Sequence, residues 1–418
     1  MSVEELQARI DKLAADIDLQ REVLKQLESS KSAAQGQLNA IRDPMARLPL
    51  EISSMIFLRC LPRSHPKPTA RTAPMLLLNV CHAWTDIALS IPVLWTAIHI
   101  DFQGVELLRT WLQRARNYAL SVSLRRCLDS RVVSVLRQFA RQLKHLKIYD
   151  EELNDLDLAG AQSFSFLKTL TFGALLDAEE DLNSFDLDHI MGLMRLTPNL
   201  AECTFHNVHV DSSEDNDEDN KELIVLPRLL CLKFGRTTDV GNLAGEDSIL
   251  RHLVLPAVKT LALPFSGISS TDFLFFLKRS LPPLQKLVLG DGCIQLHFSQ
   301  LAESLLLVLS LVHLELGVGR NAVLVDHLLS ELAASPHFLP NLHTLKVLFN
   351  SPPIFDALCQ MVFHVLSARC PQLACIDIRA AHSIYFGVDA EVRDGLRKFA
   401  AQGIDIYIGD HTHNFISL

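Results

Sequence analysis

Few residues of this chain are set out for covalent chemistry. Cys203-x-x-His206-x-x-His209 carries donor types that bind zinc. Positions 203 and 206 fall in a strand pattern, however, where residues three apart face opposite ways, and no fourth ligand accompanies them. Asp410-His411-Thr412-His413 is no stronger a ligand set. The phosphate-cradling Gly-x-x-x-x-Gly-Lys-Ser/Thr, the dinucleotide-binding Gly-x-Gly-x-x-Gly, the zinc pattern His-Glu-x-x-His and the nucleophile elbow Gly-x-Ser-x-Gly are all missing from the sequence. No acid, base and nucleophile come together. The expectation is therefore no catalytic residue, no metal and no cofactor, and a hydrolase is the weakest reading. The remaining chemistry is noncovalent. It consists of ordered apolar side chains that could bury against another surface, with polar ones displayed between them.

The densest apolar pattern lies in residues 44–100. Leu48, Ile52, Met55, Ile56 and Leu58 give more apolar surface than a short helix can hide, and Leu77, Val80, Cys81, Trp84, Ile87 and Ala88 form a second stripe at helical spacing. Pro49 suits a first helical turn. A unit this small cannot bury all of these residues internally, and the surplus marks a protein interface.

These residues stand in a recognisable order: Leu48-Pro49-x-Glu51-Ile52, Ile56-Phe57, Val80-Cys81-x-x-Trp84, Ile87-Ala88 and Pro92-x-Leu94-Trp95. The segment resembles the F-box, the small all-α module that docks a substrate receptor onto the Skp adaptor of a cullin–RING ubiquitin ligase. The resemblance implies that Leu48, Pro49, Ile52, Ile56, Leu61, Val80, Cys81 and Trp84 face the adaptor, with Cys81 acting as a small hydrophobe and not a nucleophile. The segment departs from the family pattern in one place. A proline-rich insertion with Pro62, Pro66, Pro68 and Pro74 separates its two halves and reads as an extended surface loop.

Two further elements flank this module. In residues 1–43, apolar positions alternate by steps of four and three: Leu6, Ile10, Leu13, Ile17, Gln20, Leu24, Leu27, Lys31, Ala34, Leu38, Ile41. This is the a/d seam of a coiled-coil-like amphipathic helix, suited to self-association or to a partner helix, and Gln20, Lys31 and Gly36 weaken its second half. Asp43-Pro44 should end it.

Residues 101–418 repeat. The unit apolar-x-x-apolar-x-apolar recurs nine times, beginning at Leu143, Leu167, Leu200, Leu229, Val258, Leu284, Leu311, Leu342 and Leu373. The mean period is about 29 residues, which is that of leucine-rich repeats with one strand and usually one helix per unit. Helical faces are expected through Val325, Leu328, Leu329 and Leu332, and through Phe355, Leu358, Val362, Val365 and Leu366. An initial strand is expected at Tyr118–Leu124 and a last one at Ile404–Ile408. The asparagine ladder position is missing (Glu151 and Val208 fall there), so the copies are degenerate.

The expected fold class is thus α/β: an N-terminal helix, a small helical F-box, and a repeat solenoid built on a parallel sheet. Residues between the buried repeat positions should face out on the concave side. Lys147, Tyr149, Thr171, Thr204, Lys233, Lys286, Glu315, Lys346 and Asp377 are the candidates for binding a target protein. His145, Thr169, Glu202, His206, His313, Thr344 and Arg379 share that face.

Bulk properties narrow the partners. The chain has 418 residues, with 39 basic and 48 acidic ones and a net charge of −9, which disfavours broad nucleic-acid binding. Much of that charge sits in the run at 211–220, read as a solvated loop between repeats. Nine scattered cysteines argue against a disulfide framework and for a reduced, intracellular setting, cytoplasmic or nuclear. No apolar run approaches the roughly 20 residues of a membrane span, so no membrane partner is expected. No cysteine-rich RING pattern is present. The arrangement resembles fungal-type F-box receptors with C-terminal leucine-rich repeats. It implies a non-catalytic substrate-recognition subunit of an SCF-type (Skp–cullin–F-box) ubiquitin ligase, whose partners are a Skp-family adaptor, through it a cullin, and a target protein. A repeat scaffold without a ligase role is the alternative.

Overall fold

The structure, a computed structural model, describes residues 3–42, 44–101, 104–125, 130–149, 163–173, 184–206, 209–211, 223–235, 246–263, 270–290, 298–319, 322–350, 355–381, 389–410 and 412–416. Two compact units are present, one of residues 1–99 with 110–118 and one of residues 100–109 with 119–418.

In the first unit, α1 (Val3–Arg42) runs for 40 residues because no proline interrupts it. Its described side chains are exposed, save at half-buried Gly36. Three short helices follow: α2 (Leu50–Arg59), α3 (Met75–Leu78) and α4 (His82–Ser90). They pack around Phe57, Leu77, Ala88, Leu94 and Trp95, all nearly or fully buried. Polar atoms inside this small core find backbone partners. The Trp95 indole donates to the Ala88 carbonyl at 3.1 Å, and the Thr85 hydroxyl donates to the Leu78 carbonyl at 2.9 Å. Trp111 meets Trp95 edge-on at 4.9 Å between centroids, and Arg114 lies over the Trp95 ring at 4.5 Å.

Three expectations change here. The stripe from Leu77 to Ala88 is not one helix. The chain breaks between α3 and α4, so Val80 and Cys81 sit in the connection while Leu77 and Ala88 are core. The proline-rich insertion is not a free extended loop. Pro66, Ala73 and Pro74 are buried, and the Pro66 carbonyl accepts from the His99 amide at 2.9 Å. Proline carries apolar surface and lacks a donor, so it can be tucked in cheaply once its carbonyl is satisfied. Residues 44–100 are also not wholly helical, because Ala97–Asp101 is a strand.

That strand is β1 of a twelve-stranded sheet. The others are β2 (Leu120–Arg125), β3 (Leu143–Tyr149), β4 (Thr169–Gly173), β5 (Glu202–His206), β6 (Cys231–Phe234), β7 (Thr260–Leu263), β8 (Lys286–Leu289), β9 (His313–Val318), β10 (Thr344–Phe349), β11 (Cys375–Ala380) and β12 (Asp405–Asp410). Their order in the sheet is their order in the chain, and neighbours from β2 to β12 run parallel. Each of the nine sequence copies supplies one strand, β3 to β11. The register sets equivalent positions side by side. Leu146, Leu170, Cys203, Leu232, Leu261, Leu287, Leu314, Leu345, Ile376 and Ile406 form one buried row. Two positions on, Phe172, Phe205 and Phe234 stack with centroids 5.2 and 4.8 Å apart.

Parallel strands need crossovers, and among the described residues helices supply nine of the eleven. They are α5 (Val105–Arg114), α6 (Ser130–Gln138), α7 (Leu187–Arg195), α8 (Glu246–His252), α9 (Ser270–Ser280), α10 (Phe298–Leu306), α11 (Ala322–Ala334), α12 (Phe355–Arg369) and α13 (Ala390–Ala401). From α8 to α13 each packs on the next. Val325, Leu328, Leu329 and Leu332 of α11 are buried together, as are Leu358, Val362, Val365 and Leu366 of α12. Each such side chain contributes about 2 kcal/mol.

An arginine closes several helix ends. Arg369, at the end of α12, donates to the carbonyls of Leu332 in the last turn of α11 and of Ser335 and Phe338 just after it, at 2.9, 2.6 and 2.6 Å. Arg279, at the end of α9, does the same for Leu250 in the last turn of α8 and Leu253 just after it, at 2.7 and 2.8 Å. Both satisfy carbonyls that a helix terminus leaves without partners. The positions Glu151 and Val208, and the acidic run 211–220 apart from Asp211, lie outside the described residues.

Candidate docking surfaces

The helical module keeps a large apolar area in the open. On α2 and just before it, Leu48, Leu50, Ile52, Met55 and Ile56 are exposed, with Ile52 at 43% and Met55 at 62%. Pro49 is also exposed and opens the helix. Opposite them in sequence, Leu76, Val80 and Leu89 are exposed, Val80 at 52%. α2 and α3 both pack on α4, so these side chains belong to one small module. Leu61, Cys81 and Trp84 are half-buried. The Trp84 ring leans on Phe57 at 5.1 Å, which fixes its orientation and leaves part of it uncovered. Phe57 has no exposure at all, so α2 divides cleanly into a core side and an open side.

All eight residues expected to face an adaptor are thus at least partly accessible. Leu50, Leu76 and Leu89 were not among them. Their signal was weaker, because each stands beside a motif position and only the helix breaks decide which way it points.

A second surface is the open face of the sheet. On β9, β10 and β11 burial alternates strictly, so every second residue is free of the core. Lys147, Thr171, Thr204, Lys233, Glu315, Lys346 and Asp377 fall in one row of that face, ending in Tyr407. Lys286 falls in the adjacent row with His145, Thr169, Glu202, Cys231, His313 and Thr344. Tyr149 stands beside Gly173, and a Cβ at that glycine would run into the Tyr149 ring. All nine expected face residues therefore lie on the open side. Cys231, Asp405 and Tyr407 join them: Cys231 holds the repeat position of Thr169 and Glu202, and Asp405 and Tyr407 alternate with Ile404, Ile406 and Ile408.

Charge is unevenly spread along this face. At the β9–β12 end it is paired: Arg379 donates to both Asp377 oxygens at 2.7 and 3.1 Å and lies over Tyr407 at 4.3 Å, with Lys346 3.8 Å from Asp377. Towards β3–β8, cations dominate. Burial first, and then Lys144, hold the His145 imidazole below its ordinary value against the pull of Glu202, with Lys147 adding a smaller push in the same direction as burial. Burial and Lys147 lower His206 likewise, and burial with Lys286 lowers His313, against the pull of Glu315. His145 also shares a 2.7 Å hydrogen bond with the Thr169 hydroxyl.

Cys203 and His206 fall on opposite sides of β5, as the strand period requires. Cys203 is fully buried and its thiol is pushed far up by that burial, whereas His206 lies on the open face and is only partly covered by its neighbours. Among the described residues no group of three His, Cys, Asp or Glu is arranged to hold a metal ion. No helix among them is long and apolar enough to cross a membrane.

No family model matches the sequence, and no curated protein matches it either.

Proposed function

We propose that this chain is a non-catalytic substrate receptor of an SCF-type ubiquitin ligase, acting inside the cell. The F-box of residues 44–100 docks the Skp adaptor, and through it a cullin. The sheet-and-helix array of residues 101–418 is a degenerate leucine-rich-repeat solenoid whose open face holds a target protein. The observation that carries this reading is the exposed apolar set Leu48, Ile52, Ile56 and Val80 on a module whose own core is already filled by Phe57, Leu94 and Trp95. Apolar surface left over in this way is stabilised by a second subunit. The lysines towards β3–β8 suit a target that brings carboxylates to the sheet. Catalysis then needs nothing from this chain beyond tethering, which raises the effective concentration of a target lysine near the ligase's charged enzyme.

The test is co-purification of the full chain with a Skp-family adaptor and a cullin. Both should be recovered with the native chain. Leu48→Ala with Trp84→Ala should lose them while the helical circular dichroism is kept. Because Trp84 touches Phe57, the pair Ile52→Asp and Val80→Asp, on exposed side chains, serves as a second variant. Adaptor retained by both folded variants would overturn the proposal. Other partners recovered without any cullin would favour a repeat scaffold with no ligase role.

A further inference from the structure

α1 is a long helix whose seam has no tertiary partner among the described residues. Ile10, Ile17 and Leu24 on one line and Leu6, Leu13 and Leu27 on the other are all exposed, from 42% at Leu6 to 62% at Leu27. A helix in a protein owes most of its stability to packing of its apolar stripe, and among the described residues nothing covers that stripe. The alternating four-and-three spacing places these residues at heptad positions a (Ile10, Ile17, Leu24) and d (Leu6, Leu13, Leu27). In the first heptads, β-branched Ile10 and Ile17 at a with Leu6 and Leu13 at d are the combination that favours two parallel strands, while Leu24 at a is not β-branched.

The polar residues decide orientation. Gln20 falls at d and Lys31 at a. In a parallel, in-register pair each meets its own copy, so polar faces polar, and a lysine at a in a two-stranded coil can reach solvent. In the fully overlapping antiparallel pair, Lys31 would face Leu13 and Gln20 would face Leu24. The flanking charges agree. Parallel pairing brings Asp16, at position g, beside Arg21 of the second helix at e, twice per dimer and with no like-charge pair. Antiparallel pairing sets Arg21 against Arg21. Within the chain Arg21 only touches Asp18, at 3.2 Å and largely exposed, a contact of little worth that is easily exchanged.

We propose that α1 pairs with α1 of a second copy of this chain as a parallel, in-register, two-stranded coiled coil. The chain is then a dimer that carries two copies of every other surface. Sedimentation equilibrium of the full chain at micromolar concentrations should return twice the 46.7 kDa chain mass. Asp16→Arg should weaken the dimer by about tenfold, since two attractive pairs become repulsive. Adding Arg21→Asp to it should restore the native affinity. Arg21→Gln alone should loosen a parallel dimer and tighten an antiparallel one. These side chains are exposed, so unchanged circular dichroism separates lost pairing from lost folding. A mass of one chain or of three, a double swap that fails to restore, or tightening by Arg21→Gln would each overturn the proposal. None of these outcomes touches the apolar face of α2, so adaptor docking stands or falls separately.

Discussion

At the scale of single residues, the open face of the sheet carries three imidazoles that resist a proton. His145, His206 and His313 are all lowered below their ordinary 6.5 by burial first and by neighbouring lysines next. In the unfolded chain the same groups regain that ordinary value and bind protons more readily. Folding is therefore favoured in full above about pH 6.5, and stability falls as pH drops below it, because the unfolded state then holds more protons. The melting temperature should decline between pH 7.5 and 5.5. Replacing the three histidines with glutamine together should flatten that decline, and a decline of undiminished slope in the triple variant would refute the assignment. Cys203 and Cys359 behave in the opposite chemical sense. Both are buried, and burial pushes the Cys359 thiol up to about 12, so neither forms the thiolate that reacts.

At the scale of elements, the row of helices is held by more than apolar contact. Arg369 is 6% exposed and spends its guanidinium on carbonyls at the end of α11. Removing it takes the arginine's donors from all three carbonyls, of which that of Ser335 keeps the Phe338 amide at 3.1 Å. Arg369→Met should cost about 2–4 kcal/mol in chemical denaturation. Arg279→Met, at a half-buried site with the same role after α8, should cost less because water can replace part of what is lost. Equal costs for the two would show that burial of the arginine is not what sets the penalty. The exposed flank of α2 follows a different logic. Ser53 and Phe57 face inward while Ile52, Met55 and Ile56 face outward, a split set by the 3.6-residue turn once Phe57 is committed to the core.

At the scale of the whole molecule, a parallel sheet of twelve strands has edges that could recruit further strands. β12 is the last strand in the order, and the chain folds back over it. Asn414 bridges to Gly409 in antiparallel fashion, its amide donates to the Ile406 carbonyl at 3.0 Å, and the Phe415 amide donates to the Ile408 carbonyl at 2.8 Å. The turn is pinned by Asp410, whose carboxylate accepts from the Thr412 hydroxyl and from the Thr412 and His413 amides at 2.7 to 2.8 Å and is held at about 2 by them. Truncation after Asp410 should uncover the outer groups of β12 and produce species larger than the native chain in light scattering. A truncated chain of unchanged size would show that the edge is protected by other means.

Much of this architecture is legible in the residues. The apolar triplets every 29 residues or so mark the strands from β3 to β11, because a strand buried on one face must alternate and a repeated unit must bury its neighbours' surface. Strict four-and-three spacing marks α1 for the same kind of reason. The fate of the insertion at 62–74, the break that sets Val80 and Cys81 between two helices, and which open-face residues of neighbouring strands stand side by side were decided only in three dimensions. Each depends on what lies across from a residue, through a hydrogen bond from His99 to Pro66, a core filled by Phe57 and Trp95, or a register shared between strands about thirty residues apart. Local pattern states which side chains must be hidden. The partner that hides them is a long-range matter, set by residues distant in the sequence.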